Sequence, residues 1–98
     1  MNDETEFFRG SGNAFADLGF ADAENLQIKA HLAASIIMRQ DALKITVRAA
    51  AKLAECDPAD IQRIRNVDVA KFTIDRLMKY ATKMGCKVEL TVTMPKAA

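Results

Sequence analysis

Residues 47–66, "VRAAAKLAECDPADIQRIRN", carry two helix starts within eleven residues of each other. Thr46, just before the stretch, is a residue type that accepts the orphan N–H groups of a helix start, and the alanine-rich run after it has high intrinsic helicity. Asp57 followed by Pro58 announces the second start. The Asp side chain caps, and proline at the first helical position loses no hydrogen bond. Two short helices this close in sequence cross steeply, so small or apolar residues are needed where they touch. With Val47 as position one, positions four, five, eight, ten, fifteen and eighteen are Ala50, Ala51, Ala54, Cys56, Ile61 and Ile64. Those are the buried slots of a helix-turn-helix, and all six are suitably filled.

The flanks extend this reading. Asp22 offers a cap for a long first helix, with Glu24 in its first turn, where a carboxylate suits the dipole. Leu26, Ala30, Ala33 and Ile37 recur at helical spacing, widened by Leu32 and Ile36, and the helix should end near Gln40. His31 falls beside that stripe and reads as a solvated side chain. After the central unit, Thr73 caps "IDRLMKYATKM", with Ile74, Leu77, Met78 and Ala81 on one face. Lys83 stands in its last turn, and Gly85 is placed just past the end.

Then the period changes. In "CKVELTVTM", residues 86–94, Cys86, Val88, Leu90, Val92 and Met94 alternate with polar residues until Pro95. A lone strand leaves its backbone groups without a ladder, and no second comparable alternation exists in the chain. Pairing with the same strand of a second copy resolves this, so a homodimer is expected, joined through Val88, Leu90 and Val92. Ahead of the first helix, "NAFADLGF" reads as a turn packing Phe15, Leu18 and Phe20 on the body. Residues 1–13 read as a mobile acidic arm with Phe7 and Phe8 as its apolar content. Residues 14–98 then form the domain.

Ninety-eight residues suit one domain, and with half of them apolar but only six aromatic the core must be built from Ala, Leu, Ile, Val and Met. The fold class is therefore mainly α, four to five helices with a central helix-turn-helix and one C-terminal strand. No apolar run approaches the roughly 20 residues that span a bilayer. The acidic, polar opening is unlike a secretory signal. A cytoplasmic protein without membrane contact is expected. Cys56 and Cys86 lack CxxC spacing and there is one histidine, so neither a disulfide framework nor a zinc site is expected, and no cofactor. Cys56 lies beside Glu55 and Asp57, surroundings that disfavour a thiolate. With no catalytic set visible, the chain reads as a binding protein and not an enzyme. Residues 1–25 hold six acids and one Arg, while residues 26–98 hold thirteen Lys or Arg against seven acids. An acidic arm on a basic body points weakly to nucleic acid.

"NAFADLGFADAENLQIKAHL" and "RIRNVDVAKFTIDRLMKYATKMGCKVEL" resemble the opening and closing parts of the HigA-type antitoxin branch of the Cro/C1-like (XRE) helix-turn-helix regulators. In that branch a recognition helix ends in an Arg-Asn pair, a short loop leads to an F-[ST]-x-[DE]-R-L helix, and a strand follows. The likeness runs from about Asn13 to Val92. It implies a λ repressor-like fold and a DNA-binding repressor, often encoded beside a RelE-like toxin that it neutralises. Two positions depart from the pattern: Val47 stands where a phosphate-contacting Gln is usual, and Glu55 where the turn usually has Gly.

For DNA contact, Gln62 and Arg63 are the candidates for adenine and guanine edges, with Ala59 beside them on the third helix. Lys44, Thr46, Arg48, Arg65 and Lys71 are the candidates for phosphates of double-stranded DNA, whose operator would be a pseudo-palindrome. Arg63 has an alternative as an ion-pair partner of Asp60 or Asp68, and Arg65 as a salt bridge. Asn66 reads as a helix C-cap. Asp57 and Asp60 stabilise the helix start, yet near phosphates their charge is a liability. The alternative function is a protein-interaction module on a degenerate helix-turn-helix, with the acidic arm engaging a basic partner.

Overall fold

The computed structural model describes residues 22–89, in which α1 spans Asp22–Leu43, α2 Val47–Ala54, α3 Pro58–Arg65 and α4 Ile74–Lys83. The three short helices start where the capping residues stand. Thr46 Oγ1 accepts from the Ala49 N–H at 3.1 Å, Asp57 Oδ1 from Ala59 at 2.8 Å, and Thr73 Oγ1 from Arg76 at 3.0 Å. Pro58 opens α3. No described helix is long and apolar enough to cross a membrane.

α1 packs along α3 and α4, and α2 packs on both of them. Ala50, Ala51, Ala54, Ile61 and Ile64 are buried, as the twenty-residue spacing requires, whereas the slot at Cys56 is only half-buried. The three alanines let the α2 backbone approach its neighbours. Ile36, Ile61, Ile64, Leu77 and Met84, the largest fully buried side chains, then occupy the centre.

Three expectations need correction. In α1 the buried residues are Ala33, Ile36 and Gln40, while Leu26 is 49% exposed and no described residue before Ala33 is buried. The helix runs to Leu43, not Gln40. Gln40 can be buried because its amide donates to the Ile45 carbonyl at 3.0 Å and accepts from Arg65. In α4, Tyr80 takes the buried place expected for Met78, which is only half-buried.

The four described helices end alike. Lys44, Glu55, Val67 and Gly85 have φ of 57°, 61°, 56° and 96°, in the left-handed region. After each, the next amide reaches back over the end: Ile45 to Gln40, Cys56 to Ala51, Asp68 to Arg63 and Cys86 to Ala81. This closure satisfies terminal carbonyls and favours glycine at the left-handed residue. Only Gly85 complies. A Cβ there would lie 2.8 Å from Arg39 Nη2, whose guanidinium is fixed by an Nε bond to the Met84 carbonyl at 2.8 Å. Val67 is the most strained, being β-branched.

Beyond α4, Cys86 and Val88 are half-buried against the core while Lys87 and Glu89 are exposed and paired at 3.2 Å. The alternation in burial thus begins as read, but no strand occurs among the described residues. Leu90, Val92, the arm of residues 1–13 and the Phe15–Phe20 turn lie outside them.

Burial pushes the Cys56 thiol up from 9.0 to about 11, helped by the carboxylate of Asp60 and less by that of Asp57, with Arg76 opposing. Between those values the folded chain keeps a proton that the unfolded chain has lost, so stability falls as pH rises through them. The urea midpoint should therefore drop between pH 9 and pH 11, and drop less in Cys56→Ala. Equal drops would show that another group dominates. Separately, Val67→Gly should raise stability by about 1 kcal/mol, relieving the left-handed strain at an exposed site. Thermal unfolding should show this as a gain of about 4–8 °C, and Gly85→Ala as a loss.

Candidate nucleic-acid interface

α3 shows solvent one face, carrying Ala59, Gln62 and Arg63, and gives the core the other, carrying Asp60, Ile61 and Ile64. The sequence-predicted base contacts therefore share a surface, and Asp60 is not on it. Asp60 sits on the apolar stripe and needs partners there, since an isolated buried carboxylate is heavily penalised. It has three. Oδ1 accepts from Arg63 Nη1 at 3.1 Å, and Oδ2 accepts from Arg76 Nη2 at 2.8 Å and the Tyr80 hydroxyl at 3.1 Å.

α4 supplies two of those partners in a fixed arrangement. Arg76 Nε donates to the Tyr80 hydroxyl at 2.6 Å, which leaves that hydroxyl's proton for Asp60. The guanidinium also lies 5.0 Å from the Phe72 ring centroid and 5.6 Å from that of Tyr80, and the two rings meet edge to face. Cations favour such ring faces. The Tyr80 hydroxyl, and after it the Asp60 carboxylate, push the Arg76 pKa further up, and burial raises that of Tyr80.

The far end of α3 is tied to α1. Arg65 Nη1 donates to Gln40 Oε1 and to Asp41 Oδ1, both at 3.1 Å. Arg65 thus faces α1, away from the surface carrying Gln62 and Arg63, and forms the salt bridge foreseen as its alternative. Arg63 likewise makes its alternative ion pair with Asp60, yet its side chain stays 56% exposed. Asn66 is the C-cap.

Lys44, Thr46 and Arg48 cluster where α1 passes into α2, and Lys71 lies on the loop after α3; all four are exposed. Among the described residues none of these three bases makes a salt bridge. Thr46 uses its oxygen as the α2 cap, so its hydroxyl hydrogen remains available to an acceptor. In the turn, Glu55 pairs with Lys83 at 3.2 Å, which offsets its charge. Sequence reasoning missed Tyr80 and Gln40. The signal was present in part: Asp60 and Ile64 are four apart, and so are Arg76 and Tyr80, placing each pair on one helix face.

Comparison with known proteins gives one family, described as Helix-turn-helix domain, which matches residues 14–93. No curated protein and no solved structure matches the chain. The two capped helices across an alanine-lined junction, α3 with one face buried and one presented, and a family match over most of the length agree: the chain belongs to the helix-turn-helix domain family, which marks it as a DNA-binding regulator.

Proposed function

We propose that the protein is a sequence-specific repressor that binds double-stranded DNA as a homodimer, and that it is an autoregulating antitoxin of the HigA type. The observation that carries the DNA reading is the outward face of α3, where Ala59, Gln62 and Arg63 are exposed while Asp60 is turned inward and ion-paired, and the Asp57 carboxylate ahead of them is used as the helix cap. Gln62 and Arg63 read adenine and guanine there, with Ala59 against a thymine methyl. Lys44, Thr46, Arg48 and Lys71 hold phosphates. Arg65 reaches a phosphate only by leaving Gln40 and Asp41, so its larger contribution is to hold α3. Two copies join through Val88, Leu90 and Val92, and the acidic N-terminal arm engages a basic RelE-like toxin.

Residues 44–66 carry five bases against three acids, and two of those bases are ion-paired. So thin a field gives one subunit weak affinity, and useful affinity comes from two recognition helices on one duplex. A dimer of this kind places its α3 helices about 34 Å apart, one duplex turn, on a pseudo-palindrome.

Titration of duplex from immediately upstream of the gene, against scrambled duplex at two salt concentrations, tests the reading. Preference for the upstream DNA that weakens steeply with salt is expected. Lys44→Ala should weaken both duplexes alike and flatten the salt slope by about one. No preference at low salt would remove the repressor reading and leave a protein-interaction module.

A further inference from the structure

From the bonds around Asp60 we infer that this buried carboxylate is a positioning residue for base recognition, setting how Arg63 is presented and keeping it off the phosphates. The inference rests on the DNA-binding reading and adds to it a determinant of specificity that touches no DNA.

Asp60 divides its two oxygens. Oδ2 is occupied by Arg76 and Tyr80, both on α4, and this pair fixes where the carboxylate points. Oδ1 then faces Arg63, one helical turn further along α3, and takes a single guanidinium nitrogen, Nη1, at 3.1 Å. An arginine has five donors in a planar fork, so the donors on Nε and Nη2 stay available. Those are the two-donor edge that guanine O6 and N7 accept. Arg63 is thus held at one corner and offered to solvent along another edge, on the face that also carries Gln62 and Ala59.

Holding has two consequences. A side chain already confined to one orientation loses less freedom when it meets the correct base. To reach a phosphate, in contrast, Arg63 must abandon Asp60, and the new ion pair merely replaces the old. Random DNA therefore gains little from Arg63, while a site with guanine in register gains a bidentate contact and keeps the Asp60 bond. The net positive charge of the cluster, two guanidiniums around one carboxylate, keeps Asp60 from repelling DNA.

Asp60→Asn separates this from a merely structural role. The Asn carbonyl still accepts from Arg76 and Tyr80, and its amide, a donor, turns Arg63 loose. Affinities for a duplex selected from a random pool by the wild-type protein, and for scrambled duplex, are measured across salt. Affinity for scrambled DNA should rise about threefold to tenfold, with a salt slope steeper by about 0.9, as one phosphate contact is gained. The ratio of selected to scrambled affinity should fall about tenfold, the discrimination of one bidentate arginine. Equal losses on both duplexes, with a lower Tm, would make Asp60 structural only and overturn the inference.

Arg63→Ala, at an exposed position, keeps the inference open to refutation if Asp60→Asn fails to fold. It should reduce affinity for the selected duplex about tenfold and leave binding to scrambled DNA, with its salt slope, unchanged. A flatter slope on scrambled DNA would show Arg63 already on phosphates. Failure of the wild-type protein to select any duplex overturns the DNA reading itself. Selection by the wild type with an unchanged ratio in Asp60→Asn overturns this inference alone.

Discussion

A carboxylate taken out of water must be met by charge and hydrogen bonds, and in this protein that requirement fixes the position of α3. Asp60 is buried at the start of the helix, where it is bonded to Arg76 and Tyr80 of α4 and to Arg63 of its own helix. Arg76 and Tyr80 meet one oxygen and Arg63 the other, so the whole carboxylate is satisfied and its direction is set from α4. The ion pairs themselves add little to stability, because Arg63 and Arg76 are both about half exposed. Their effect is on register. Hydrophobic slots filled by Ile61 and Ile64 would tolerate small rotations of α3, whereas a carboxylate with three directional partners does not.

The other end of α3 is held by the same means from a different helix. Arg65 bonds Gln40 and Asp41, and Gln40 in turn closes the end of α1 through the Ile45 carbonyl. One helix of eight residues is therefore tied to α4 at its first turn and to α1 at its last. The two buried polar side chains of the described core, Asp60 and Gln40, both serve these ties. Apolar burial brings the helices together, and the polar residues decide how α3 is oriented once it is there.

Much of this was legible in advance because capping is a local code. Thr46, Asp57 and Thr73 accept bonds from amides two or three residues away, so their meaning does not depend on the tertiary fold. Five of the six slots were legible too, since steep crossing of short helices leaves few alternatives. Periodicity reaches too far in α1, where Leu26 falls on the apolar stripe and is exposed, because spacing marks a face and does not say how far along it the neighbouring helices extend. Asp60 stands in the first turn of α3 and pairs with Arg63 as its position suggests, but that position does not disclose its burial on the Ile61–Ile64 stripe. The partner that resolves it, Tyr80, lies twenty residues away, and no local rule reaches that far.

The same bonds divide the basic residues into two groups with different physical roles. Lys44, Arg48 and Lys71 are exposed and unbridged among the described residues, long side chains free to follow a phosphate backbone of any sequence. Arg63, Arg65 and Arg76 are bonded to carboxylates within the fold. Guanidiniums suit that second role, because their planar forks keep donors to spare after one bond is made. Under the proposed function, charge is then supplied by the junction of α1 and α2 and by the loop after α3, and geometry by α3 itself. A protein with so small a basic excess cannot hold DNA by charge alone. On that proposal its selectivity comes from side chains whose orientation is fixed before the duplex arrives, and on the outward face of α3 the arginine so held is Arg63.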